Sequence, residues 1–110
     1  MEDESGYVAT GKLFEKFSPD VIIGFNDPVA IGAYRYLKKN KIRVPRDVAL
    51  CGFSDLKSSR LLEVPLTTVS EATTEMGVRA FEILKNLIES PNCEIQKVKL
   101  KAELQIRDSA

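Results

Sequence analysis

Residues 19–55 read PDVIIGFNDPVAIGAYRYLKKNKIRVPRDVALCGFSD, and the punctuation of this stretch sets the fold. VIIGF, residues 21–25, is a continuous apolar run dominated by Val and Ile. Such a run suits a strand covered on both faces, as in a parallel sheet. Asn26-Asp27-Pro28 then opens a helix, with Asp27 as its N-cap and Pro28 at the first helical position. Val29, Ala33, Tyr36 and Leu37 give the helix an apolar stripe, which Ala30 and Tyr34 widen. Lys38, Lys39 and Lys41 gather at its far end, where the helix dipole favours cations. The loop IRVPRD leads into a second apolar strand, VALCGF at 48–53. Strand, helix and strand within about 30 residues make a βαβ unit with a right-handed crossover. The fold class is therefore α/β, a parallel-sheet sandwich of βαβ units.

Outward from this unit, GYVATGKLFEKF at 6–17 reads as a helix, capped by Ser5 and ended by Ser18-Pro19. A polar loop at 54–65 precedes a short strand, Leu66 to Val69. A long helix follows over 73–89, where Met76, Ala80, Leu84, Leu87 and Ile88 recur at helical spacing with Phe81 beside them. The tail then changes period. Val98, Leu100, Ala102, Leu104 and Ile106 alternate with charged or polar residues, which predicts one or two strands with one wet face.

Composition narrows the chemistry. Of 110 residues, 44% are apolar and 29% charged, a globular balance. Sixteen basic residues offset sixteen acidic ones, so no global positive field would hold nucleic acid. There is no histidine, which removes Ser-His-Asp and Cys-His engines and imidazole metal sites. Cys51 and Cys93 match no zinc or redox spacing and read as reduced structural cysteines of a cytoplasmic protein. No Gly-rich phosphate loop is present, and neither a cofactor nor a metal is expected. No apolar run reaches the roughly 18 residues needed to span a bilayer, so no membrane partner is expected.

In an open parallel sheet, ligands bind beyond the carboxyl ends of the strands. Two strands here end in polar pairs, Asn26-Asp27 and Ser54-Asp55. If the strands are neighbours, these groups line one edge. A carboxylate there can accept two hydrogen bonds from vicinal hydroxyls of a sugar or ribose. Asp27 is equally explained as a helix cap, and Asp55 as turn chemistry. Glu71, between a strand and the long helix, is either a ligand acceptor or a charge favouring a helix N-terminus. Of Tyr34 and Tyr36, one packs on the sheet; the other lies in the core or on a contact surface.

Taken in order, these motifs resemble the LacI/GalR family of bacterial transcription regulators. The stretch quoted above carries ND after a strand, A-x-GA on a helix, RVP-x-DV and GF-x-D. LEVPLTTVSEATTEMGVRAFEIL at 62–84 adds P-x-LTTV and a helix with MG, and LKAELQIRDS at 100–109 is similar to the family's closing strand. The resemblance covers nearly the whole chain. It implies the two-lobed fold of type I periplasmic binding proteins, here as an incomplete lobe, and a fragment that is not an enzyme. The implied function is to bind a small effector, a sugar or nucleoside-like metabolite, and to dimerise. DNA would be reached only through an N-terminal headpiece absent from this chain.

Residue by residue, the resemblance gives Asp27 the role of hydrogen-bonding effector hydroxyls; Asn26 and Asp55 are ligand candidates from their places at the strand ends. Replacing Asp27 should then weaken effector response with little loss of fold. Glu71 stands where sugar-binding members carry a glutamine, and Ala72 replaces the usual proline. The helix from Pro28 to Asn40 would join partner lobes, with Ala30, Ile31 and Tyr34 at the interface. Residues 1–69 and 94–110 would form one lobe, and 70–93 the crossover helix of the other. The uncovered face of that helix would drive a homodimer or a domain-swapped oligomer. A fragment of a periplasmic sugar-binding protein of the same fold is the alternative.

Overall fold

The computed structural model describes residues 1–110, with helix α1 at Glu2–Phe14, strand β1 at Val21–Ile23 and helix α2 at Asp27–Lys39. Strand β2 (Ala49–Phe53), the one-turn helix α3 (Lys57–Arg60) and strand β3 (Thr67–Ser70) follow, then helix α4 (Thr73–Glu89) and strand β4 (Glu103–Gln105). The sheet order is β1-β2-β3-β4. The first three strands are parallel, with Ile23 opposite Cys51 and Cys51 opposite Thr67, and β4 runs antiparallel to β3. The βαβ unit and the parallel sheet thus match the sequence reading.

The chain divides into two units, Met1–Ser70 with Glu103–Ala110, and Glu71–Ala102. In the first, α2 lays Ala30, Ala33 and Tyr34 against Leu50 and Leu66 of the sheet. Leu37, Leu50 and Leu66 are completely buried, and each contributes about 1.5–3 kcal/mol of transfer free energy. Ala30 and Tyr34 are therefore core residues of their own chain. Ala30 is 0% and Tyr34 8% exposed, and Ile31, the third residue expected at an interface, is half-buried. Tyr36 is spent on α1: its ring meets Tyr7 edge-on at 5.4 Å and stacks on Phe14 at 5.9 Å.

Helix α1 begins four residues earlier than its apolar spacing suggests. Glu2, Asp3 and Glu4 fill its first turn, where negative charge is favoured. Ser5 is not the cap; its hydroxyl donates back to the Glu2 carbonyl at 2.6 Å inside the helix. Strand β1 is shorter than VIIGF and lies at the sheet edge. Ile22 packs on the core, but Val21, Ile23 and Phe25 are exposed, so only one face of the strand is covered. A run apolar on both faces marks where cover fits, not where this chain supplies it.

In the second unit α4 occupies the expected residues, yet none of its side chains is buried, and Met76, Phe81, Leu84 and Ile88 are all exposed. Residues 94–102 group with α4, whereas the sequence reading places them with the first unit. The alternating tail forms a strand only at 103–105, because β3 is four residues long and only Thr68, Val69 and Ser70 are open to pairing. No helix is long and apolar enough to cross a membrane.

Helices α1 and α2 cross at two glycines. A Cβ on Gly32 would lie 1.8 Å from the Asp3 carbonyl oxygen, and one on Gly6 would lie 2.1 Å from that of Val29. Gly32→Ala gains about 1 kcal/mol of helix propensity, but the backbone contact cannot yield without moving α1. The expected outcome is a net loss of at least about 1 kcal/mol, read from the urea midpoint by circular dichroism.

Candidate functional site

Strands β1 and β2 end side by side. Two residues beyond the Ile23–Cys51 pair, Phe25 lies in the bend that follows β1 and Phe53 is the last residue of β2. They remain 73% and 38% exposed, an aromatic pair at the carboxyl edge of the sheet. Asn26 and Ser54 follow them, both half-buried. Sequence reading singled out the polar pairs and passed over these phenylalanines. The signal was there: both apolar runs read as strands close on Gly-Phe, Gly24-Phe25 and Gly52-Phe53.

Asn26, not Asp27, caps α2. Its backbone is extended, and its Oδ1 accepts from the Val29 amide at 3.0 Å. Its Nδ2 donates to Glu2 Oε2 at 2.8 Å, on the exposed side. Asp27, one residue on, is 0% exposed. Its Oδ1 accepts from the Thr68 hydroxyl at 2.6 Å and its Oδ2 from the Leu56 amide at 2.8 Å. A Cβ on Gly52 would lie 2.3 Å from that Oδ1, so glycine is what lets the carboxylate pass over β2 toward β3. Both oxygens of Asp27 are thus engaged by protein donors, and neither is exposed at the sheet edge.

After β2 the backbone turns through two positive φ values, 107° at Ser54 and 49° at Asp55, a conformation costing non-glycine residues on the order of 1–3 kcal/mol each. The Ser54 amide donates to the Val69 carbonyl at 2.8 Å. The Asp55 side chain is only 6% exposed and lies between two guanidinium groups. Arg60 donates to it at 3.1 and 2.6 Å, and Arg107 Nη2 to its Oδ1. Burial pushes its pKa up, but the bonds from Arg60 and Arg107 outweigh that and hold it below the usual value. Asp55 is thus an internal anchor and not an open acceptor. Glu71 lies in the second unit, half-buried ahead of α4, where its carbonyl accepts from the Thr73 amide at 2.7 Å.

No group of acidic or cysteine side chains is placed to hold a metal. Cys51 and Cys93 are free thiols, and burial pushes the Cys51 pKa up, away from the reactive thiolate. What the edge presents is the aromatic surface of Phe25 and Phe53, beside Ser54 and Asn26, whose side chain caps α2 and reaches Glu2.

Residues 2–110 match the periplasmic binding protein-like domain. The chain belongs to this family. It is 36% identical over 110 residues to the HTH-type transcriptional regulator GalR of Lacticaseibacillus casei, covering 97% of this chain and 33% of the relative. To the ribose operon repressor of Escherichia coli K12 it is 32% identical over 111 residues, covering 100% and 34%. Among solved structures it is similar to the transcriptional regulator CelR in complex with cellobiose, with a TM-score of 0.93 and 28% identity over 100% of this chain and 34% of that one. These relatives are LacI/GalR-type regulators, as the order of motifs from ND to R-x-S implies. The chain spans about a third of the length of the curated relatives it matches.

Within this periplasmic binding protein-like domain the two aspartates make separate tests. Asp27→Ala leaves the Thr68 hydroxyl and the Leu56 amide unpaired, at about 1–3 kcal/mol each. Urea unfolding should show a loss of about 2–5 kcal/mol, with Asp27→Asn intermediate. Asp55 has a depressed folded pKa, so its contribution is complete above the ordinary carboxylate value of about 4 and fades as pH falls through the folded value. Asparagine tolerates the positive φ at position 55. Asp55→Asn should therefore be less stable than wild type at pH 7, with the gap closing below about pH 4 in thermal unfolding.

Proposed function

We propose that this chain is part of the effector-sensing region of a LacI-type transcriptional regulator. In this reading the rim formed by Phe25, Asn26, Phe53 and Ser54 contacts a sugar or nucleoside-like metabolite. The observation that carries it is the exposure of Phe25, just past β1, and of Phe53, at the end of β2, where these two neighbouring parallel strands finish. This is where open α/β sheets bind ligands. Small-molecule sites combine apolar and aromatic walls with a few polar groups. The faces of sugar rings present C–H groups that suit aromatic walls, and nucleobases stack on them. Asn26 Oδ1 stays on the α2 cap, while Nδ2 would exchange its exposed bond to Glu2 for a ligand hydroxyl, and the Ser54 side chain carries a group that both donates and accepts.

The relatives support the ligand class. One is named for the ribose operon, and a solved neighbour is complexed with cellobiose. They are regulators, which favours signalling over catalysis and a regulator over a transport-type binding protein. Contact with DNA belongs, in this reading, to other parts of the parent protein.

The test uses the full-length protein and a panel of D-ribose, D-galactose, cellobiose and purine nucleosides. One of them should raise the melting temperature in a concentration-dependent way. Phe25→Ala should weaken that ligand at least about tenfold by calorimetry, with the ligand-free melting temperature unchanged because the side chain is already exposed. No response across the panel, or unchanged affinity in the variant, overturns the reading.

A further inference from the structure

The last residues of the chain are built into the sheet. Ser109 is fully buried. Its amide donates to the Pro65 carbonyl at 3.1 Å, and its carbonyl accepts from the Leu50 amide at 2.8 Å. Its hydroxyl donates to the Leu50 carbonyl and accepts from the Thr67 amide at 2.7 Å. The β2–β3 ladder begins only at Cys51–Thr67, so Ser109 bridges the two strands just ahead of it. Two residues earlier, the Arg107 amide donates to Thr67 Oγ1 at 2.8 Å, and the Thr67 hydroxyl donates to the Arg107 carbonyl at 3.0 Å. The backbone of Arg107 is thus fixed on β3 before its side chain does anything.

That side chain spans two elements. Its Nη1 donates to the Leu66 carbonyl at 2.9 Å, and its Nη2 reaches Asp55 Oδ1. It is only 18% exposed, whereas Arg60, the other partner of Asp55, is 55% exposed. Partly buried charge-assisted bonds are stronger and less screened than exposed ones. Arg60 also sits on α3, at the far end of the same loop, and cannot tie that loop to anything outside it. Arg107 adds a charge-assisted side-chain link between the strained Ser54–Asp55 turn and the β3–β4 side of the sheet, beside the Ser54 amide on the Val69 carbonyl and the Asp55 amide 3.4 Å from the Thr68 hydroxyl.

We propose that Arg107 is a positioning residue for ligand recognition: from the end of the chain it holds Asp55, and through Asp55 it fixes the left-handed turn that presents Ser54 and Phe53 at the rim. It touches no ligand itself. The inference rests on the rim being the ligand site, and the experiment separates the two.

Full-length wild type, Arg107→Met and Arg107→Lys are compared. Methionine keeps an unbranched stem without charge; lysine keeps the charge without the fork. Hydrogen exchange of ligand-free protein should show residues 52–60 exchanging at least about fivefold faster in Arg107→Met, with helix α2 unchanged. Calorimetry with whichever of D-ribose, D-galactose or cellobiose binds wild type should show at least about tenfold weaker binding in Arg107→Met and recovery of part of that loss in Arg107→Lys. Recovery by charge alone is what a general packing defect would not give. Unchanged exchange over 52–60 overturns the clamp, whatever the affinities. Faster exchange with unchanged affinity overturns the rim as the ligand site, and with it the recognition role of Arg107.

Discussion

The Asp27 carboxylate ties three elements together, and the carboxyl edge of the sheet takes its form from that junction. It leaves the first turn of α2, passes over Gly52 of β2, and receives hydrogen bonds from Thr68 of β3 and from the Leu56 amide beyond the β2 turn. An acidic group so deeply buried persists only when each oxygen is satisfied, and here each has a protein donor. Helix α2 is thereby pinned to the sheet at its N-terminus, while Ala30, Ala33 and Tyr34 hold it along its length.

A second fastening lies beside it. Asp55 is held by Arg60 and Arg107, and its bonds offset the cost of two consecutive non-glycine residues with positive φ. Thr68 belongs to both, since its hydroxyl donates to Asp27 and stands 3.4 Å from the Asp55 amide. With both acids engaged, the side chains left at this edge are Phe25, Phe53, Asn26 and Ser54, with Glu2 bonded to Asn26.

Apolar surface is unevenly covered. One face of the sheet packs on α2, while Val21, Ile23 and Phe25 stay open, and α4 exposes Phe81, Leu84 and Ile88. The chain matches about a third of each relative's length, so its elements are those of part of a larger architecture.

Much of the fold was legible because it rests on local period and punctuation. The apolar runs at 21–25 and 48–53, the Asn-Asp-Pro start of α2 and the helical spacing over 73–89 each specify an element through neighbours in the chain. The parallel class follows from the strand–helix–strand order. Three features were not legible locally. Which of Asn26 and Asp27 caps the helix depends on whether a distant threonine and amide await the second carboxylate, and Thr68 is 41 positions away. That Tyr34 faces the sheet and Tyr36 faces α1 depends on the crossing at Gly6 and Gly32. That Arg107 holds Asp55 requires a contact across 52 positions. The sequence by itself determined the elements, their order and the sheet edge where polar groups collect. Only the tertiary structure decided which of those polar groups are consumed by the fold, because hydrogen-bond partners far apart in the chain meet only after the sheet has assembled.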